Sequence, residues 1–291
     1  MTATDLAAVQ TNRWAAELRK LSREYRRQGL PVMNGAFHYS NLLEGDAQIL
    51  TCNPYRLWEY SSLFLRLEPG ARFLDVGGAA SALPYLLAEN GWRGVSVDLQ
   101  PLLVAICRHA AGVRRLPLES RVADITADFV DGEAFDVVTF VSVLEHIAPE
   151  NRATVFGSLS RVLKPGGLLY LTFDYGTYVE RDAYRSAERV PEHLSASVSD
   201  LEALCGTIEE HGFVFESNDP RALPADLLAL RTAPAVRSVM WRYALNTPPF
   251  DADTPWKDVL KYVAKRMVRR RNIASRFHDH NFFRMFLRKA S

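Results

Sequence analysis

The chain has 291 residues, 48% hydrophobic and 24% charged, with a net charge of +1. That is the composition of a water-soluble globular protein, and the length suits one large domain with extensions or two small ones. No uncharged apolar run reaches 18 residues, so no membrane-spanning helix is expected, and the N-terminus lacks the basic start and apolar core of a signal peptide.

Three cysteines, Cys52, Cys107 and Cys205, lie far apart without metal-ligand spacing, which points to free thiols in a reducing cytoplasm. The charge is unevenly placed. Lys257 to Ser291 holds eleven Lys and Arg against Asp258 and Asp279, so a basic tail follows a slightly acidic body.

In chain order, Leu6, Val9, Leu18, Leu21 and Tyr25 recur at helical spacing and predict an amphipathic helix over 5–28, stopped at Gly29–Leu30–Pro31. A second helical stretch rich in aromatics ends at Pro69–Gly70. From residue 72, strand and helix alternate. "RFLDV", "GVSVD", "RVAD", "FDVVTFVSV", "GGLLYLTF" and "FVFES" read as strands, with "VRSVMWRYAL" (236–245) as a last one. "SALPYLLAEN", "PLLVAICRHAA", "ENRATVFGSLSRVL" and "SVSDLEALCGTIEEHG" read as the helices between them. Such alternation implies a doubly wound α/β sheet, in which ligands bind beyond the carboxyl ends of the strands. The expected organisation is an N-terminal helical lid or cap over 1–70, a cofactor-binding domain over 71–250 and a basic C-terminal helical extension over 251–291.

The stretch "FLDVGGAAS", Phe73 to Ser81, is a strand running into a glycine turn. A phosphate-gripping P-loop is excluded because no G-K-[ST] follows. A dinucleotide fingerprint fits only with one glycine lost, which leaves a nicotinamide oxidoreductase as a weaker alternative. A third reading rests on several blocks together: "FLDVGGAAS", "VSVDL", "VADI", "FDVVTFVSVLEHI" and "RVLKPGGLLYLTF". In this order they resemble the class I S-adenosylmethionine-dependent methyltransferases, in particular the subgroup acting on small molecules and lipids. The resemblance covers Phe73 to Phe173. It implies a seven-stranded, mostly parallel, Rossmann-like sheet with S-adenosylmethionine as cofactor and S-adenosylhomocysteine as product.

Carried over residue by residue, the resemblance puts Asp75 on the cofactor's ammonium and lets Gly77 and Gly78 admit the backbone close to the ligand. Asp98 accepts from the ribose hydroxyls, Asp124 from the adenine amino group, and Leu99 and Ile125 sandwich the ring, with Val141 lining the site. Ala79 and Ser81 depart from the usual glycines, which also leaves a non-catalytic adaptor of the same fold as an alternative. Methyl transfer to a hydroxyl needs a base near the acceptor. His146 is the candidate, with Glu145 and Asp174 to orient it. These three are too few to expect a metal.

The expected acceptor is a small molecule, sugar or glycan, most readily methylated at oxygen, with Tyr39 and Tyr60 in the lid region. In the tail, Thr254–Pro255 starts a helix whose stripe of Trp256, Leu260, Val263 and Met267 runs beside Lys257, Lys261, Lys265 and Arg269. Peripheral membrane or anionic-ligand contact through 257–289 is one reading of it, and nucleic acid is not expected. The N-terminal helix offers a surface for a homo-oligomer.

Overall fold

The sequence's strand-and-helix alternation is realised as one seven-stranded sheet in a computed structural model. The structure describes residues 17, 20, 21, 24, 25, 27–30, 59, 60, 62–64, 66–78, 81–127, 134–175, 198–217, 256 and 281–290.

The elements are β1 (Arg72–Val76), α1 (Ala82–Glu89), β2 (Arg93–Asp98), α2 (Pro101–Arg114), β3 (Leu118–Val122), β4 (Phe135–Val141), α3 (Arg152–Val162), β5 (Leu163–Tyr175), α4 (Val198–Glu210), β6 (Phe213–Ser217) and β7 (Asn281–Lys289). Strand order is β3-β2-β1-β4-β5-β7-β6. The first five strands run parallel, and β7 is antiparallel to both β5 and β6. The order of β1 and β4 matters most for the site. The chain winds outward from β1 through β2 and β3, then returns to β4 on the other side, so a crevice opens where the two windings diverge.

β4 shows why the centre of the sheet is stable. Its run FDVVTFV has Val137, Val138 and Phe140 buried, as a strand covered on both faces requires. Leu74, Val95, Val97, Phe156, Leu159, Leu169, Leu171, Ile208 and Leu287 join the same core. The conspicuous Lys164–Pro165–Gly166–Gly167 is an irregularity inside β5. Pairing jumps from Phe135↔Leu163 to Val137↔Leu168, and Gly166 takes φ 72° to allow it. Lys164 Nζ donates to Asp136 Oδ1 at 2.6 Å, and Asp136 Oδ2 accepts from the Arg72 backbone at 2.8 Å, which ties β5 to β1 through β4.

One expectation is corrected at the C-terminus. Residues 281–289, assigned from sequence to the helical extension of 251–291, form β7 inside the sheet. Met285, Phe286 and Leu287 are buried there. Leu287 pairs with both Leu169 and Phe215, so an apolar side chain at this register is enclosed by two neighbours. The strand expected over 236–245 and the basic stripe over 257–271 lie outside the described residues, apart from the exposed helical Trp256.

The described residues divide into two compact units. The sheet belongs to one. In the other, helical residues 17, 20, 21, 24, 25 and 27 join Ser81–Leu86, and the rings of Tyr25 and Tyr85 lie with centroids 5.1 Å apart, tilted by 50°. Gly29 ends the N-terminal helical stretch with φ 68°, and Gly70, with φ 78°, sits in the turn that leads into β1, where the Ala71 N–H donates to Glu68 O at 3.3 Å. Cys107 and Cys205 are buried free thiols, and no described helix is long and apolar enough to cross a membrane.

Candidate active site

Five strand ends converge on the crevice. β1 ends in Asp75–Val76 and turns at Gly77, where φ is 76°. This left-handed backbone suits glycine, and a Cβ here would stand 2.6 Å from Val143 Cγ2. The Gly77 N–H donates to Val97 O of β2 at 2.8 Å, so the turn is pinned to the neighbouring strand. A Cβ at Gly78 would collide with Asp75 Oδ2. The turn therefore lies directly over the carboxylate, and both glycines are there for space.

Asp75 is buried at 2% exposure. Ser96 Oγ of β2 donates to its Oδ2 at 3.1 Å, and Thr139 Oγ1 of β4 donates to its Oδ1 at 2.7 Å. Register explains the meeting: Asp75 pairs with Ser96 on one side and Thr139 on the other, so all three side chains project from the same face. Removal from water pushes the Asp75 carboxyl up to about 6; the two hydroxyl bonds oppose the rise and the charge of nearby Asp98 adds to it. Asp98 follows Ser96 by two residues on β2 and so projects from the same face of the sheet as Asp75.

Asp98, at the tip of β2, is 8% exposed and accepts from the Gln100 N–H at 2.9 Å where α2 begins. Beyond it, Leu99 is 59%, Leu102 42% and Val122 50% exposed, an open apolar group around the ends of β2 and β3. Val122 pairs with Asp98 and was not singled out from sequence. Ile125 is turned into the hydrophobic core. Asp124 is exposed and closes a turn, accepting from the Thr126 N–H at 2.8 Å and hydroxyl at 2.7 Å.

On the far side of the crevice, half-buried Val141 ends β4. Ser142 then takes φ 52°, unusual for a residue with a side chain, and its N–H is held by Thr172 O at 2.9 Å and Thr172 Oγ1 at 3.2 Å. This reversal throws the chain into a 3₁₀ turn, Leu144–His146. Leu144 and Ile147 anchor the turn in the core, which leaves Glu145 half-buried and His146 exposed. The His146 N–H donates to Val143 O at 2.9 Å, and it is Val143 that packs against Gly77. The Glu–His pair thus stands one short turn from the glycine loop. Asp174 lies near the end of β5, paired with Phe282 through its backbone; its side chain, and Tyr39, lie outside the described residues. Tyr60 is buried in a helical stretch.

Thr139, Ser96 and Ser142 were missed from sequence. A signal existed for Thr139, the one polar residue after Asp136 in an apolar strand. None existed for Ser142, whose backbone angle only the fold imposes.

A mostly parallel sheet of this order, with β7 antiparallel between β5 and β6, has the class I methyltransferase fold. Residues 74–171 match a family model described as "Methyltransferase domain". The chain is 40% identical over 124 residues to the ubiquinone biosynthesis O-methyltransferase of Xanthomonas axonopodis pv. citri (strain 306), a match covering 41% of this chain and 49% of that protein. It is 39% identical over 123 residues to the protein of the same name from Xanthomonas euvesicatoria pv. vesicatoria (strain 85-10), with the same coverage, 41% and 49%. The chain spans about half the length of the curated relatives it matches. A Galdieria sulphuraria structure, provisionally described as a sarcosine dimethylglycine methyltransferase, superposes with a TM-score of 0.50 at 16% identity, covering 90% of this chain and 93% of that one. That likeness shows the fold. Over residues 74–171, then, the chain is similar to a methyltransferase domain, and its sheet has the strand order of that fold.

Proposed function

We propose that this protein transfers the methyl group of S-adenosylmethionine to a hydroxyl oxygen of a small molecule and releases S-adenosylhomocysteine. The observation that carries the reading is the placement of Asp75 and Asp98 near the ends of the neighbouring strands β1 and β2, beside a turn where Gly77 and Gly78 keep side chains out, within a segment matching a methyltransferase domain. The donor set suits this cofactor, which carries an ammonium, a ribose and an adenine but no phosphate. Asp75 would hold the ammonium and Asp98 the ribose hydroxyls. Leu99 would take the adenine, with Asp124, Ile125 and Val141 as the remaining candidate contacts.

When bound, the cofactor supplies an electrophilic methyl carbon on its sulfonium. The protein's work is to align the acceptor and take its proton. His146, exposed on the turn after the switch-point strand, accepts that proton. Glu145 and Asp174 orient the imidazole. The names of the curated relatives support a phenolic hydroxyl of a ubiquinone-type precursor as the acceptor. A phenol ionises near pH ~10, within reach of a histidine base acting in the transition state.

The test is binding and turnover with methyl-labelled S-adenosylmethionine and a panel of catechols, hydroxylated quinone precursors and sugars. Label in a phenolic methyl ether is the expected result. Asp98→Ala should weaken cofactor binding roughly 30-fold, the loss of a charged hydrogen-bond acceptor. His146→Gln should leave binding intact and lower kcat about 10²- to 10⁴-fold. Cofactor binding by Asp98→Ala equal to wild type, or none by wild type, would overturn the reading.

A further inference from the structure

We propose that Thr139 and Ser96 are positioning residues for cofactor binding: from β4 and β2 they clamp the Asp75 carboxylate of β1 beneath Gly78, aimed at the ligand. This inference rests on the S-adenosylmethionine reading above and assigns two residues to which the sequence reading gave no role.

The argument begins with two hydroxyls where the sheet calls for apolar side chains. Thr139 and Ser96 are both fully buried, at 0% exposure, in strands whose other buried positions are valine and phenylalanine apart from Asp98 at the tip of β2. A buried hydroxyl is tolerated when it is hydrogen-bonded, and here both serve the same carboxylate. Each oxygen of Asp75 receives one donor, from opposite sides, so the carboxylate plane is fixed by two strands at once. Thr139 Oγ1 also approaches Leu74 O at 3.4 Å, but the 2.7 Å contact to Asp75 is the shorter and better placed. The absence of a side chain at Gly78 completes the cradle: the space a Cβ would fill is where Asp75 Oδ2 sits.

Among the described residues, the groups that act on the buried Asp75 carboxylate are the two hydroxyls and Asp98, and none is a cation. The charged group facing Asp75 from β2 is Asp98, another acid; β4 contributes only the Thr139 hydroxyl, and Gly77–Gly78 contributes none. Burial accordingly pushes Asp75 up to about 6. An arriving ammonium supplies the missing positive charge and favours the ionised form. Asp75 should therefore release a proton when the cofactor or its product binds near pH 6, with the two hydroxyls tuning the pH at which it does so.

The experiment is calorimetric binding of S-adenosylhomocysteine between pH 5 and 7.5, in pairs of buffers with different ionisation heats, to full-length wild type, Thr139→Val, Thr139→Ser and Ser96→Ala. Wild type should release a proton, with a midpoint near 6. Thr139→Val should bind about tenfold more weakly, with the midpoint moved upward; Thr139→Ser should recover to within about threefold of wild type. Ser96→Ala should show the same changes, smaller. A merely structural role would lower Tm and leave the midpoint where it is. If Thr139→Val does not fold, Ser96→Ala and Thr139→Ser decide by the same criteria. Unchanged affinity and midpoint in the folded variants would overturn the clamp while leaving the methyltransferase reading in place. Failure of wild type to bind would remove both.

Discussion

Gly77 and Gly78 meet steric demands of different kinds. Gly77→Ala forces a side chain into a left-handed backbone and against Val143, whereas Gly78→Ala meets the Asp75 carboxylate. Gly77→Ala should lower stability by about 1–2 kcal/mol, from the backbone alone. Gly78→Ala should leave the backbone at ease but displace Asp75 and weaken S-adenosylhomocysteine binding more than tenfold. Urea denaturation and calorimetry of both variants check the contrast. Asp75 gives a second prediction at this scale. Its folded-state value of about 6 lies above the ordinary 3.8, so the native state binds more protons than the unfolded chain between those values. Its contribution therefore opposes folding as pH rises, beginning near pH 4 and complete above about 6, on the order of 3 kcal/mol. Ligand-free wild type should lose stability relative to Asp75→Asn across that window, read from denaturation midpoints of the two proteins at a series of pH values.

At the scale of elements, β7 joins the parallel half of the sheet to β6. Its inward residues and its cations should differ sharply in weight. Met285→Ala empties a fully buried position and should cost about 2–5 kcal/mol. Arg288→Ala breaks a 3.4 Å pair with Glu216 in which both side chains are partly solvated, and should cost less than about 1 kcal/mol. Lys289 falls between them, because its Nζ donates to the carbonyls of Ser160 and Leu163 at 2.6 and 2.8 Å and so closes the C-terminal end of α3. Thermal unfolding of the three variants should rank them in that order; Arg288→Ala equal to Met285→Ala would contradict the role given to the strand. β1, β2, β4, β5 and β6 were legible from sequence because each carries a short apolar run bounded by glycine, proline or acid, whereas the third strand, expected at "RVAD" (121–124), is β3 over Leu118–Val122, whose LESRV is mostly polar. β7 was not, since "NFFRMFLRK" carries three cations and follows a basic stretch that reads as helix. Strand pairing with β5 and β6 outweighs that local pattern.

For the molecule as a whole, the proposed cofactor should act as a stabiliser. S-adenosylhomocysteine at 100 times its Kd should add about 2.7 kcal/mol to the unfolding free energy and raise Tm accordingly, an effect Asp98→Ala should largely abolish. A ligand-independent Tm would count against the site. Sequence alone determined the winding of β1 to β5, the glycine turn and the acids at the strand tips, because strand periodicity and left-handed turns are set by residues within a few positions of one another. Only the tertiary structure decided that Asp75 lies between Ser96 and Thr139, 21 and 64 residues away, that Ser142 takes a left-handed backbone, and that the chain's last strand fills the gap beside β5. Those outcomes depend on the register between strands distant in sequence, which the packing of the whole sheet selects and no local pattern encodes.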